Sequence, residues 1–256
     1  MTFAEIRHRL IEILPPLAVR VLTLARTEAA ALGAFLVVGM SGLLFLELAE
    51  EMAEQGDRGL DHQVLEALRE PGQAGNPIGP WWVEEAAADL TALGGISVLS
   101  LFTLLAVSYL LLQRHRGAAL RLVLGLIGAV ALSEGLKSVF ERERPPVAYQ
   151  AVETLNASFP SGHALLATVF YLSLGTLVAQ GLTRRRDKAW VLGAAVLLAL
   201  TVGLTRVYLG AHWLSDVLAG WCVGAAWAMS LWLAAWALER YGRHRAGRLA
   251  RQTPPA

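Results

Sequence analysis

The stretch that decides the fold is AALRLVLGLIGAVALSEGLK, residues 118–137. It is apolar over most of its length and ends on Lys137. The hydrocarbon core of a bilayer is about 30 Å thick, and a helix of about 20 apolar residues crosses it. The stretch therefore predicts a transmembrane helix that holds a cation at the membrane edge.

Five further segments have similar length and composition: 29–49, 92–112, 162–182, 189–208 and 213–237. The chain is 55% hydrophobic and 17% charged, whereas soluble domains carry about 25% charged residues. We therefore predict an all-α, polytopic membrane protein with six transmembrane helices. The predicted organisation is an interfacial, cytoplasmic segment 1–28, a membrane domain 29–238 with an outer loop 50–90, and a basic cytoplasmic tail 239–256.

The basic residues of the connections predict the orientation of the chain. The N-terminal segment and every second connection carry 16 of the 22 Lys and Arg, and the opposite side carries six. The positive-inside rule assigns the richer side, with both termini, to the cytoplasm. The net charge of +1 gives no reason to expect nucleic acid as a partner.

One polar group follows the stretch directly. Arg144-Pro145 comes seven residues after Lys137, and a guanidinium offers forked donors that match phosphate oxygens. Glu134 lies one turn before Lys137, and we expect the two to pair. Arg142 is interpreted as a solvated neighbour.

The run Pro160-Ser161-Gly162-His163 opens the fourth predicted span. Ser161 is a favourable N-cap, and Gly162 lets a ligand approach the backbone closely. A helix N-terminus presents free N–H groups and a partial positive charge to an anion. His163, in the first turn, could protonate a leaving alkoxide as a general acid.

Arg206 ends the fifth predicted span, and His212 and Asp216 begin the sixth. Their four-residue spacing places His212 and Asp216 on one helix face. A carboxylate on one ring nitrogen fixes the tautomer and frees the other nitrogen to attack. His212 is thus the better nucleophile and His163 the better acid.

The three groups of polar residues, at 137–145, 160–163 and 206–216, are all predicted to lie on the outer face, at the ends of spans three to six. No His-x-x-x-His pair or carboxylate cluster accompanies the two histidines, so a metal site is the weaker interpretation.

Together these residues resemble the type 2 phosphatidic acid phosphatase superfamily, the lipid phosphate phosphatases. Its first motif is Lys, six residues, Arg-Pro, and its second is Pro-Ser-Gly-His; residues 137–145 and 160–163 match both. Its third is Ser-Arg, five residues, His, three residues, Asp; residues 205–216 match it, with Thr205 in place of Ser. The order and spacing are correct over residues 137–216.

The resemblance implies a bacterial inner-membrane enzyme without metal or cofactor, whose site faces the periplasm or exterior. His212 would form a phosphohistidine, Asp216 would orient it, and His163 would protonate the leaving oxygen. The phosphate would be held by Lys137, Arg144, Arg206 and the backbone of Ser161 and Gly162. Substrates would be membrane lipids such as undecaprenyl pyrophosphate, phosphatidylglycerol phosphate, phosphatidic acid or lipid A phosphates.

Three alternatives stay open on the sequence. The same histidine could pass phosphate to another lipid, as a phosphotransferase. A vanadate-dependent haloperoxidase would use a similar pocket, although six spans argue against it. A non-catalytic lipid-binding membrane protein is the third. The role of loop 50–90 is likewise open: it is either a capping loop with an interfacial anchor at Trp81-Trp82, or a lid or lipid-entry wall.

Overall fold

The computed structural model describes residues 28–52, 59–152 and 156–252, so the predicted interfacial segment lies outside it except for Glu28. Eight α-helices account for most of these residues. They are α1 Glu28–Met52, α2 Leu60–Ala67, α3 Trp81–Ala92, α4 Ile96–Leu112, α5 Arg116–Phe140, α6 Gly162–Gly181, α7 Arg185–Tyr208 and α8 Leu214–Gln252. A two-stranded antiparallel hairpin, β1 Arg69–Glu70 and β2 Gln73–Pro77, follows α2.

Among these residues, five helices are long and apolar enough to cross a membrane: α1, α5, α6, α7 and α8. A sixth span is possible if α3 and α4 are counted together, since they form a pair bent by 48°. The predicted second span thus starts at Ile96, because Gly94 and Gly95 end α3 with turn hydrogen bonds to Thr91 and Ala92. The predicted all-α, multi-pass membrane architecture is confirmed.

Helix α6 is the centre of the bundle and packs against α5, α7 and α8. In its most apolar stretch, 61% of the residues are buried. Its contact with α8 is close because Gly220 carries no side chain. A Cβ at Gly220 would lie 2.7 Å from the carbonyl oxygen of Ser161. Small residues of this kind allow membrane helices to pack backbone to backbone. The start of α6 is therefore held against the first turns of α8.

The turn between α7 and α8 depends on Gly210, which has a φ of +66°. A Cβ there would lie 2.1 Å from the carbonyl oxygen of Tyr149, so only glycine fits. Arg69, 6% exposed, donates to the carbonyl oxygens of Tyr149 at 2.7 Å and Tyr208 at 3.0 Å. The hairpin is thus fastened to the turn that precedes His212.

Two departures from the predicted organisation concern local structure. The Gly- and Pro-rich residues after α2 form strand β2, which the sequence did not predict. Helix α8 runs unbroken to Gln252 and so passes the predicted domain boundary at residue 238.

Candidate active site

A cavity of about 690 Å³ opens where α5 and α7 end and α6 and α8 begin. Six of the predicted site residues line it: Lys137, Arg144, Gly162, His163, Arg206 and His212. Asp216 lies behind His212, fully buried. The structure therefore brings groups from all three sequence motifs to one cavity.

His212 lies in the α7–α8 turn and is only 2% exposed. The prediction that it shares a helix face with Asp216 is wrong, because α8 begins only at Leu214. Its Nδ1 is 3.4 Å from Oδ2 of Asp216, and its Nε2 is 3.2 Å from Nη1 of Arg144. A guanidinium can only donate, so Nε2 is the acceptor and the ring proton is on Nδ1. Among the ring nitrogens, Nε2 is consequently the one with a lone pair.

The burial of His212 sets its charge. Burial lowers the pKa of His212 to about 4, an effect that Asp216 opposes and that Arg144 and Arg206 reinforce. The imidazole is therefore neutral at pH 7. A neutral ring oriented by a carboxylate is the state that a nitrogen nucleophile needs.

The carboxylate of Asp216 is held on both oxygens. Oδ2 accepts hydrogen bonds from the backbone N–H of Trp213 at 2.9 Å and from the hydroxyl of Ser158. Oδ1 accepts from Nη1 of Arg142 at 2.6 Å. The interpretation of Arg142 as a solvated neighbour is wrong: its side chain is 17% exposed and pairs with Asp216.

Two of the three predicted cations have no carboxylate partner within the described ranges. Arg144 donates to carbonyl oxygens, including that of Ala211 at 2.7 Å, and burial lowers its pKa. Arg206 is 5% exposed, has one long contact of 3.4 Å to Oγ1 of Thr91, and its Nε has no partner in the part of the chain described. The cavity thus carries positive charge that protein groups do not neutralise.

The third cation, Lys137, pairs with Glu134 as expected, at 3.1 Å. Both residues line the cavity, and the Glu134 side chain is 58% exposed. An incoming anion would therefore meet a carboxylate next to this lysine.

His163 lines the cavity from the first turn of α6, as the sequence predicts. No described residue hydrogen-bonds its ring. The two imidazoles therefore differ: Asp216 holds the ring of His212, and both ring nitrogens of His163 remain available to a ligand.

Ser161 occupies the N-cap position of α6, but its hydroxyl makes no capping hydrogen bond. The expectation of a side-chain cap is wrong, because the residue's contact with α8 goes through its backbone N–H, which donates to the carbonyl oxygen of Asp216 at 2.9 Å. The Oγ of Ser161 is buried and finds no partner among the described residues.

Sequence reasoning missed a second buried hydroxyl in the cavity wall. Ser133 is 1% exposed and lines the cavity, and no described group hydrogen-bonds its Oγ. It lies four residues before Lys137, on the same helix face. That spacing was the signal in the sequence that could have indicated it.

The described residues contain no group of three or more His, Cys, Asp or Glu side chains placed to hold a metal ion.

Comparison with known proteins finds a matching family model and two similar sequences. Residues 118–240 match the model of the PAP2 superfamily. Phosphatidylglycerophosphatase B of Bacillus subtilis (strain 168) is 29% identical over 186 residues, which cover 71% of this chain and 86% of that protein. Undecaprenyl-diphosphatase of Sulfolobus acidocaldarius is 32% identical over 121 residues, covering 45% of this chain and 54% of the relative.

Two solved structures share the fold. The crystal structure of a transmembrane PAP2-type phosphatidylglycerolphosphate phosphatase from Bacillus subtilis has a TM-score of 0.68 and 28% identity, and covers 76% of this chain and 93% of that one. Aquifex aeolicus LpxE has a TM-score of 0.52 and 22% identity, covers 69% of this chain and 97% of that one, and is similar in fold. The predicted superfamily resemblance is confirmed.

Proposed function

We propose that this chain, a member of the PAP2 superfamily through residues 118–240, is an integral-membrane lipid phosphatase. It removes phosphate from a phosphomonoester or pyrophosphate of a membrane lipid, through a phosphohistidine on His212. The substrate class comprises isoprenoid pyrophosphates such as undecaprenyl pyrophosphate, phosphatidylglycerol phosphate and phosphatidic acid. Relatives named for phosphatidylglycerophosphate and undecaprenyl diphosphate support this range.

One observation carries the proposal: a neutral imidazole lies beside cations that lack counter-charges. The Nε2 of His212 is 3.2 Å from Arg144, and Arg206 lines the same cavity. Buried charges without partners are costly, so such a cavity favours a bound anion. Phosphoryl transfer depends mostly on positioning and charge stabilisation, which Lys137, Arg144, Arg206 and the start of α6 would supply.

In the first step, the lone pair on Nε2 of His212 attacks phosphorus and the bond from phosphorus to the lipid oxygen breaks. His163 gives its proton to the departing oxygen. The phosphorylated ring becomes cationic, with its proton still on Nδ1, and the carboxylate of Asp216 offsets that charge. In the second step, His163 takes a proton from water, whose oxygen attacks phosphorus. The phosphorus–nitrogen bond breaks and inorganic phosphate leaves.

The cavity wall supports a lipid as the substrate. Beyond the cations, it includes the apolar side chains of Ile96, Val130 and Leu166. Val130 precedes Lys137 by seven residues on α5, which is about 10 Å along the helix. The cavity therefore extends from the phosphate-binding groups towards the membrane interior, where the apolar part of a lipid would lie.

The charge distribution supports the orientation. The ends of α5 and α7 that reach the cavity lie on the side with six Lys and Arg, opposite the 16 of the other side. We therefore place the site at the periplasmic or exterior face of a bacterial inner membrane, with both termini and the basic tail 239–256 in the cytoplasm.

The test is phosphate release by the detergent-purified protein, with EDTA present, from isoprenoid pyrophosphates, phosphatidylglycerol phosphate, phosphatidic acid and lipid A. We expect release from at least one of them and none from His212→Ala. In ¹⁸O-labelled water, the released phosphate should carry the label, whereas transfer to a second lipid would give a phosphorylated lipid without it. Full activity of His212→Ala would contradict the assignment of the nucleophile, and dependence on a divalent ion would contradict the metal-free mechanism.

A further inference from the structure

The outer segment that contains α2 and the hairpin lies behind the nucleophile. None of the described residues 59–80 lines the catalytic cavity. Two of their side chains instead bond to the chain around His212: Arg69 to the start of the turn, and Asp61 to the start of α8. This arrangement differs from that of a lid, which would cover the cavity.

Asp61 acts as a cap for α8, although it belongs to α2. Its Oδ1 accepts a hydrogen bond from the backbone N–H of Ser215 at 2.8 Å, and its Oδ2 accepts one from the Ser215 hydroxyl. Ser215 is the second residue of α8. The first N–H groups of a helix lack partners within it and favour a carboxylate. Asp61 therefore fixes the first turn of α8, the turn that carries Asp216.

Arg142 joins the two carboxylates. Its Nη2 donates to Oδ2 of Asp61 at 2.8 Å, and its Nη1 donates to Oδ1 of Asp216 at 2.6 Å. The side chains of Asp61 and Arg142 are 19% and 17% exposed, and that of Asp216 is fully buried. The chain of contacts runs from Asp61 through Arg142 and Asp216 to Nδ1 of His212.

In this series of contacts, the two oxygens of Asp216 have different partners. Arg142 holds Oδ1, which leaves Oδ2 to face the ring of His212 at 3.4 Å. The planar guanidinium can serve two carboxylates at once because its nitrogens point in fixed directions. Without the second carboxylate, Arg142 would no longer be fixed from both sides. The carboxylate of Asp216 would then be held firmly only at Oδ2, by the N–H of Trp213 and the hydroxyl of Ser158.

We infer that Asp61 is a positioning residue for phosphoryl transfer: through Arg142 and Ser215 it holds Asp216, and thereby His212, in the geometry for attack. This inference rests on the proposed function. On this inference, α2 affects the rate of the chemical step through Asp61 and does not cover the substrate.

The expected effect of Asp61→Asn is a loss in kcat with little change in KM. The substituted amide keeps the size of the side chain and removes its charge, while the cations that hold phosphate are untouched. We expect kcat to fall by about 10-fold to 100-fold, which corresponds to the loss of one hydrogen bond to a charged group. KM should stay within about twofold of the wild-type value, because Asp61 contacts none of the cations that bind the phosphate.

The control is Glu66→Gln. Glu66 lies on the same helix, is 58% exposed and contacts His62 at 3.4 Å. The substitution removes one carboxylate from α2 without changing a contact to α8, so kcat and KM should equal those of the wild type.

A double-mutant cycle with Arg142→Gln separates positioning from general destabilisation. Because Asp61 acts partly through Arg142 and partly through Ser215, the combined loss in the double variant should be clearly smaller than the sum of the two single losses. Asp61→Glu, which retains the charge, should recover part of the kcat lost in Asp61→Asn. Thermal stabilisation by inorganic phosphate should persist in every variant, because the phosphate-binding cations are intact.

The inference would be overturned by a wild-type kcat in Asp61→Asn, or by additive losses in the cycle. If Asp61→Asn does not fold, Arg142→Gln is compared with the wild type instead, because it breaks the same bridge to Asp216, and a wild-type kcat in that variant would overturn the inference. An inactive wild type across the lipid panel would instead refute the proposed function.

Discussion

Replacing Arg206 by Met should make the protein more stable and nearly inactive. Arg206 is 5% exposed, and its Nε lacks a partner among the described residues. The structure therefore keeps a cation in a place where nothing described neutralises it. Methionine has a similar reach without charge or donors, so the substitution removes the unfavourable group and leaves the packing nearly unchanged.

The two magnitudes have opposite signs. A buried group without a partner costs about 1–3 kcal/mol, and about 1 kcal/mol corresponds to roughly 2–4 °C in Tm at this chain length. We therefore expect Arg206→Met to raise the apparent Tm by about 2 °C or more. Loss of a donor aimed at developing charge costs about 2.7–4 kcal/mol of transition-state stabilisation. The value of kcat/KM should thus fall by about 100-fold to 1,000-fold.

The assay combines thermal unfolding in detergent with phosphate release from the best lipid of the panel. Inorganic phosphate should stabilise the wild type, by about 2.7 kcal/mol at 100 times its Kd, and should stabilise Arg206→Met much less. Arg116→Met is the matched control, because Arg116 is exposed at the opposite end of α5. A lower Tm for Arg206→Met, or activity within a few-fold of the wild type, would refute the argument that an uncompensated cation is kept for the substrate.

Two further predictions concern single groups of the site. Ser133→Ala should raise KM by about 5-fold to 10-fold, the worth of about one neutral hydrogen bond, without lowering Tm; steady-state kinetics measure this, and an unchanged KM would mean that the hydroxyl does not reach the substrate. The imidazole of His212, identified by its absence from His212→Ala, should titrate near pH 4 in a ¹⁵N NMR series without phosphate. Because an unfolded histidine titrates near 6.5, the unfolded chain binds the proton first, so stability should decline as the pH falls from about 6.5 towards 4. Titration of this ring near pH 6.5 would contradict its burial.

The parts of the fold that could be predicted are those that depend on short stretches of sequence. The span that ends at Lys137 is visible because 20 residues of apolar sequence have few other uses. The spacing from His212 to Asp216 predicted a shared helix face, because a helix repeats every 3.6 residues. His212 instead lies in the turn before α8, and the two side chains meet across the start of the helix. Gathering of the motif residues at one cavity followed from their positions at the ends of successive spans.

Contacts between distant segments were not visible. Arg142 is two residues from Arg144 and has the same charge, and nothing in the local pattern distinguishes a buried bridge from a solvated neighbour. Its partners Asp61 and Asp216 lie 81 and 74 residues away. The capping role expected of the Ser161 hydroxyl failed for a similar reason, since the close approach of α8 at Gly220 decides the surroundings of that residue.

Asp61 shows how a local rule can assign the wrong partner. An acidic residue in the first turn is ordinarily explained by the N-terminus of its own helix, and Asp61 fits that pattern in α2. In the folded protein its carboxylate instead accepts from the N–H of Ser215 in α8. On the proposed function, substitution of Asp61 therefore acts on turnover through His212, whereas substitution of the cavity residues Ile96 and Val130 acts on the apolar part of the lipid.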